Sequence, residues 1–262
     1  MMKDLFSLEG RVALVTGGSR GIGKMIAQGF LEQGARVYIT ARKAPVCDQA
    51  AEELSVFGNC ISLPYDMSTV AGCKSLALDL GSREASLDIL VNNAGAAWGA
   101  AFEEFPESGW DKVMDLNVKS LFFLTQALHG ALKNAASAER PAKVINIASI
   151  DGIKINPWET YPYQASKAAV IHLTRRMAAR LIQDNICVSA IAPGAFASEM
   201  NKAAKDHADA VAAAIPAKRI GRESDMAGTA VFLASRAGDY VVGDTLAVDG
   251  GVAYSHIGAA WG

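Results

Sequence analysis

Tyr163 and Lys167, in Tyr163-Gln164-Ala165-Ser166-Lys167, stand four residues apart, the spacing that sets two side chains on one face of a helix. A phenol titrates near pH ~10 and exchanges protons poorly at neutrality, and a neighbouring cation favours its anion and lowers that value. The pair reads as a tuned acid/base. Tyrosine and lysine at this spacing also occur on ordinary solvated helix faces, so the reading depends on what else the chain supplies. A second group is Thr16-Gly17-Gly18-Ser19-Arg20-Gly21-Ile22-Gly23, ahead of the helical run Lys24-Met25-Ile26-Ala27. Glycines where a strand feeds a helix let main-chain N–H groups and the positive end of the helix dipole meet a pyrophosphate with no side chain between them. The alternative is a tight turn that binds nothing; its position directly after a first strand favours a nucleotide.

These groups need a frame to hold them. Seven short β-rich runs supply strand candidates: Val12 to Val15, Val37 to Thr40, Cys60 to Leu63, Ile89 to Val91, Lys143 to Ile147, Cys187 to Ile191 and Thr245 to Val248. Helix-length stretches such as Gly23 to Gln33 and Trp110 to Lys133 separate them. Continuous apolar strands between helices predict a single-domain, doubly wound, Rossmann-like α/β fold over 1–262: a seven-stranded parallel sheet with helices on both faces. The alanine-rich segment at about 197–219 follows the sixth strand and reads either as a mobile substrate lid or as a surface helix with no gating role.

Composition narrows the function. The 262 residues carry 25 basic and 27 acidic side chains, a formal charge of −2, with no basic stripe for a nucleic acid. Apolar residues make up 51% of the chain, yet no run reaches the roughly 18–20 that a membrane span needs, and the start Met1-Met2-Lys3-Asp4 lacks a signal-peptide apolar stretch. A soluble, cytoplasmic protein without nucleic-acid or membrane partners is expected. Cys47, Cys60, Cys73 and Cys187 show no CxxC or metal-ligand spacing, and His129, His172, His207 and His256 are scattered. No catalytic metal is expected.

The end of the second strand bears on which dinucleotide is bound. A carboxylate there would hydrogen-bond a ribose 2′-hydroxyl and repel a 2′-phosphate. This chain has Ala41 and Arg42 instead. Arg42 and Arg20 can converge on a 2′-phosphate with charge-assisted bonds, which points to NADP(H); the alternative is two solvated surface charges. Asp66, followed by Met67 past the third strand, would accept from the adenine amino group or hold a turn. Asn92-Asn93-Ala94-Gly95 places small residues where main chain must approach the cofactor.

Together these residues resemble the short-chain dehydrogenase/reductase family across the whole chain. The matching pieces come in the family's order: the Thr16-to-Gly23 turn, Asn92-Asn93-Ala94-Gly95, Asn117 in Asp115-Leu116-Asn117-Val118, Ser149 in Asn146-Ile147-Ala148-Ser149, Tyr163 with Lys167, Pro193-Gly194 and Asp249-Gly250-Gly251. The resemblance implies a catalytic set of Asn117, Ser149, Tyr163 and Lys167. Tyr163 would be the general acid/base, Lys167 would lower its pKa and hold the nicotinamide ribose, Ser149 would orient the substrate oxygen, and Asn117 would support a proton-relay water. It implies a cofactor site of Gly17, Ser19, Arg20, Gly21, Ile22, Gly23, Arg42, Asp66, Met67, Asn93, Ala94, Gly95, Tyr163, Lys167, Pro193, Gly194, Phe196 and Ser198. The chain departs from the family where a threonine often follows Pro-Gly to touch the nicotinamide carboxamide; here the Ser198 hydroxyl or the main-chain N–H and C=O of Ala195 or Phe196 would do so. Pro162 suits the start of the helix carrying Tyr163. Tyr161 is a decoy, since Ala165 stands four residues on.

Within the family the chain is most similar to 3-oxoacyl reductases of the rhamnolipid-pathway type, through Ser7-Leu8-Glu9-Gly10-Arg11 to Met25-Ile26-Ala27-Gln28, Trp98-Gly99-Ala100 and Gly109-Trp110. NADPH-dependent, reversible reduction of a 3-oxoacyl or other apolar ketone to a secondary alcohol is the expected reaction. A secondary-alcohol, polyol or steroid dehydrogenase is the alternative, and a non-catalytic dinucleotide sensor a more distant one. Ser149 and Tyr163 would meet the substrate, with Ala96, Ala97, Trp98, Ile150, Ile155, Trp158, Phe196 and Met200 either walling it or packing in the core. The apolar tail from Val252 to Gly262 is expected at a subunit interface of a homotetramer, where it would cap a neighbour's pocket.

Overall fold

The computed structural model describes residues 4–199 and 201–255. Seven strands alternate with helices: β1 (Val12–Thr16), α1 (Gly21–Glu32), β2 (Arg36–Thr40), α2 (Ala44–Leu54), β3 (Cys60–Ser62), α3 (Val70–Arg83), β4 (Ile89–Asn92), α4 (Glu107–Met114), α5 (Ser120–Ala127), α6 (His129–Ala135), β5 (Ala142–Ile147), α7 (Tyr161–Leu181), β6 (Ile186–Pro193), α8 (Lys202–Asp206), α9 (Ala208–Ala213), α10 (Glu223–Ala234) and β7 (Thr245–Val248). All strands pair in parallel in the order β3-β2-β1-β4-β5-β6-β7. Each expected strand is present, with its ends moved by no more than two residues.

Successive strand residues point to opposite faces, and both faces are covered. Ala13 and Val15 of β1 join one apolar layer with Ile26, Phe30 and Leu233, while Leu14 joins the other with Leu76, Leu124 and Val170. Every residue of β5 and β6 is buried, which is why those stretches are apolar without alternation. Each large apolar side chain so buried stabilises the fold by roughly 1.5–3 kcal/mol relative to exposure. The chain direction of the strand order reverses between β1 and β4, and a crevice at such a switch point is where an open α/β sheet takes its ligand. Thr16-Gly17 and Asn92-Asn93 form its two lips.

Two expected elements differ. The single helix expected from Trp110 to Lys133 is three helices, with a wide π turn at Asp115–Lys119 in which the Ser120 N–H reaches back to Asp115 O. The Ser120 hydroxyl donates to Leu116 O at 2.6 Å, and Asn117 bonds main chain outside the helix. These side-chain bonds compensate for the widened ladder, a distortion common at functional sites. The 197–219 segment contains two short helices, α8 and α9, and buries Ala204 and Ile215. Among the described residues no helix is long and apolar enough to cross a membrane, and all four cysteines are free thiols. Met200 and the tail beyond Ser255 lie outside the described residues.

Candidate active site

Helix α7 begins at Tyr161 with Pro162 in its first turn, where a missing N–H leaves no bond unmade. Lys167, one turn after Tyr163, is 5% exposed. Its Nζ donates to Ile147 O at 2.7 Å and lies 5.5 Å from the Tyr163 ring centroid. Ser149, two residues past β5, is buried, hydrogen-bonds the Tyr163 phenol, and accepts the Asp151 N–H at 3.1 Å. Asn117 Oδ1 accepts from Ala96 N at 2.8 Å, while its Nδ2 donates to Ala96 O at 3.0 Å and Ser166 Oγ at 2.9 Å. Ser166 Oγ in turn donates to Tyr163 O at 2.7 Å. The four residues expected to act together are therefore brought together, with Asn117 linked to the Tyr163 turn through Ser166.

The electrostatics correct one expectation. Burial pushes the Tyr163 phenol up to about 12, with the Ser149 bond opposing and the Asp151 charge adding to the rise. Burial pushes the Lys167 ammonium down to about 8, against the Asp151 charge. The phenol is thus raised in this structure, where proximity to Lys167 predicts a fall. The ammonium bonds the Ile147 carbonyl and sits over the ring, so loss of hydration outweighs its attraction for a phenolate. Tyr161 points elsewhere, its hydroxyl donating to Glu159 Oε1 at 2.9 Å.

Across the crevice the glycine turn is braced from behind. Asn93 Nδ2 donates to Thr16 O at 2.8 Å and Gly17 O at 3.2 Å. The Thr16 hydroxyl accepts from Asn93 N and Ala94 N, both at 2.9 Å, and donates to Val91 O at 3.2 Å, using its full capacity. Gly17 has φ of +64°, and a Cβ on Gly23 would collide with the Asn93 amide and the Gly17 carbonyl. Asn93 therefore shapes the cradle, and Ala94 and Gly95 continue its lip, Gly95 so close that a Cβ would lie 3.2 Å from Asn117 Oδ1. Thr16 is absent from the expected site because its double acceptor role depends on β4, far along the chain.

Thr16 and Thr40 are in register, which sets Arg20 and Arg42 at the same edge of the sheet. Both are exposed, and among the described residues neither guanidinium has a hydrogen-bond or ion-pair partner. Lys43, also exposed, adds a third positive charge beside Arg42. Ser19 is half-buried and Ile22 packs on the core. Asp66 is exposed with Oδ1 accepting Ser68 N at 2.9 Å, so it holds a turn, and the Met67 side chain is core.

Beyond β6, Gly194 packs on Asp249, and a Cβ there would fall 2.7 Å from the Asp249 Cβ. Phe196 is 2% exposed and its ring lies flat on Gly221. Of the two readings of its side chain, substrate wall or core, the ring takes the core, and its main chain stays available to a ligand. Ser198 stands opposite Gly21, 3.3 Å from where a Cβ would be, and so beside the cradle. The expected substrate wall is only partly assembled. Ile150 is half-buried next to Ser149, but Ile155 and Trp158 are 87% and 69% exposed. The Trp98 indole packs on Gly109, within 2.8 Å of where a Cβ would be, with the Lys112 ammonium 5.0 Å from its ring centroid. Gln164 Nε2 pins the 156–158 loop through Asn156 Oδ1 at 3.2 Å and Trp158 O at 3.1 Å, a role that no motif in the chain announces.

Known proteins share this arrangement. A family model described as enoyl-(acyl carrier protein) reductase matches residues 17–253. The chain is 51% identical over 253 residues to the rhamnolipids biosynthesis 3-oxoacyl-[acyl-carrier-protein] reductase of Pseudomonas aeruginosa, covering 95% of this chain and 99% of that protein. It is 38% identical over 259 residues to the 2-dehydro-3-deoxy-D-gluconate 5-dehydrogenase of Dickeya dadantii, covering 96% and 98%. The solved Pseudomonas aeruginosa RhlG/NADP active-site complex superposes with a TM-score of 0.92 at 50% identity, covering 95% of this chain and 98% of that one. The match spans sheet, cradle and proton-transfer residues alike, and the chain belongs to the short-chain dehydrogenase/reductase family, oxidoreductases acting on carbonyl and hydroxyl groups.

Proposed function

We propose that this protein reduces a ketone to a secondary alcohol with NADPH, reversibly, and that its substrate is a 3-oxoacyl thioester or another apolar ketone. The observation that carries this reading is the cluster of buried Ser149 and Lys167 with half-buried Tyr163, facing, across the switch-point crevice, a glycine cradle flanked by Arg20 and Arg42. The relatives named for 3-oxoacyl reduction and for NADP binding support it. The N–H groups of the Gly17–Gly23 turn would hold the pyrophosphate, Arg20 and Arg42 the 2′-phosphate, Asp66 the adenine amino group and Lys167 the ribose. NADPH supplies the hydride when bound.

The chain's own residues handle the proton. Tyr163, with its phenol at about 12, is neutral at pH 7 and donates to the substrate oxygen as negative charge develops there. Releasing that proton to water at pH 7 would cost about 7 kcal/mol, so transfer waits for the more basic alkoxide. Ser149 holds both phenol and substrate oxygen. Lys167 compensates the phenolate left behind. The Asn117 side chain is fully engaged with Ala96 and Ser166, so its part in returning a proton is to shape the widened turn beside Lys167. In the same reading the protein works in the cytoplasm as a homotetramer, and the 197–219 segment closes over the substrate.

Kinetics with 3-oxoacyl and enoyl thioesters, each with both nicotinamide cofactors, test the reading. The 3-oxo substrate should be reduced, with kcat/KM for NADPH exceeding that for NADH. Arg42→Ala should lower the NADPH value roughly 10–100-fold, the worth of one charge-assisted hydrogen bond, and leave the NADH value unchanged. Equal efficiency with both cofactors would contradict the cofactor assignment. Turnover of the enoyl thioester alone would overturn the reaction.

A further inference from the structure

Asp151 enters the site through its main-chain bond to Ser149 and through its charge, and its turn packs on the helix that carries Tyr163 and Lys167. The short turn Ile150–Gly152 leaves β5 and packs directly on α7: a Cβ on Gly152 would fall 2.5 Å from the main-chain carbon of Lys167. Ser149 Oγ accepts the Asp151 N–H at 3.1 Å, which fixes the backbone that carries the carboxylate. The carboxylate itself is half-buried, and among the described residues it has no hydrogen-bond or ion-pair partner.

The other charges nearby are engaged or exposed: on α4 and the π turn, which also pack on α7, Lys119 pairs with Asp115 at 2.7 Å, Lys112 lies over Trp98, and Glu107 and Asp111 are exposed. Of the ionisable side chains of α7, Tyr163 and Lys167 are the ones on which the Asp151 charge acts, and it is the charged side chain that acts on each of them. Strand β6, also packed here, has no ionisable side chain but Cys187 near its far end. Lys154, on the same loop, donates to Val252 O at 3.3 Å. Asp249 accepts Gly251 N at 2.8 Å and Ala253 N at 2.6 Å. Among the described residues Lys167 is thus an ammonium whose one hydrogen bond is to a neutral carbonyl, with an unpaired carboxylate on the turn packed against its helix.

Resting on the reading of Tyr163 and Lys167 as the proton-transfer pair, we propose that Asp151 is a positioning residue for that pair, its carboxylate supplying the counter-charge that keeps buried Lys167 an ammonium at working pH. The same charge holds the phenol neutral until the substrate oxygen calls for its proton. One carboxylate therefore keeps both members in the protonation states that ketone reduction starts from.

The main-chain bond to Ser149 does not involve the Asp151 side chain, so asparagine and glutamate variants isolate the charge. The test is a pH titration of the Lys167 side-chain carbon next to Nζ by NMR in lysine-labelled protein, assigned with Lys167→Met and recorded for wild type, Asp151→Asn and Asp151→Glu. A kcat/KM profile against pH accompanies it. Asp151→Asn should move the Lys167 midpoint and the alkaline limb of the profile to lower pH by roughly half to one unit, the effect of one charge acting through partly solvated protein. Asp151→Glu should restore both. A midpoint unmoved in Asp151→Asn, or moved equally in Asp151→Glu, would overturn the proposal. Because the NMR titration needs no turnover, it reads the Lys167 charge even if the enzyme reduces no ketone, an outcome that would count against the functional reading alone.

Discussion

Among the described residues two lysines are almost fully buried, at opposite ends of the sheet. Lys143 on β5 is 1% exposed and has Asp239 Oδ1 at 2.7 Å from its Nζ. Lys167 on α7 is 5% exposed and, among the described residues, its Nζ has only the Ile147 carbonyl as a hydrogen-bond partner, at 2.7 Å. The first is neutralised in place, within an end of the molecule that also holds the buried Arg11–Asp88 pair at 3.3 Å. The second carries its charge with no carboxylate in contact, and burial pulls it down to about 8. A buried ammonium with a contacting carboxylate is a structural solution; one held short of its counter-charge can change protonation state near neutral pH, which is what a proton-transfer site requires.

Replacing each lysine should separate these roles. Lys167→Met should cost roughly 10²–10⁴-fold in turnover, the range for an acid/base partner. It should also reveal a stability linkage. With a folded value of about 8 against 10.5 for a free lysine, the unfolded chain binds more protons between those limits, so Lys167 makes wild type gain stability as pH rises through them. Relative to Lys167→Met, wild type should gain about 2 kcal/mol between pH 8 and pH 10 in urea unfolding; a constant difference would mean that Lys167 is not held at a depressed value. Lys143→Met has the smaller effect. Asp239 is 30% exposed at its side chain and can regain water, so about 1–2 kcal/mol of stability should be lost at pH 7 with kcat/KM per folded molecule unchanged. A large kinetic loss there would erase the distinction between the two ends.

The strands are legible in the sequence because β5 and β6 are apolar apart from Lys143, Asn146 and Ser189, without the alternation of a sheet that has one wet face. The proton-transfer residues are legible because their spacing is local: Tyr163 and Lys167 share one helix face, and Ser149 closely follows a strand. What escapes depends on contacts distant in sequence. The π turn at Asp115–Lys119 keeps the apolar spacing of a continuous helix, so nothing in the pattern marks it. The sequence leaves the Phe196 ring open between substrate wall and core, because what claims it is Gly221, which arrives with another loop. The direction in which the Tyr163 phenol moves is hidden because the spacing shows a cation nearby and not that its ammonium is bonded to Ile147. Asp151 carries no motif, and its role depends on which helix its turn packs against.

Tyr163→Phe tests the central claim most directly, with NADPH binding followed by cofactor fluorescence and alcohol formation from a 3-oxoacyl thioester measured on the same protein. Removing one buried hydroxyl leaves the cradle, the arginines and Lys167 in place. NADPH affinity should stay within about twofold of wild type while alcohol formation falls by roughly 10²–10⁴-fold. Near-normal alcohol formation would contradict the claim, because some other group would then be delivering the proton.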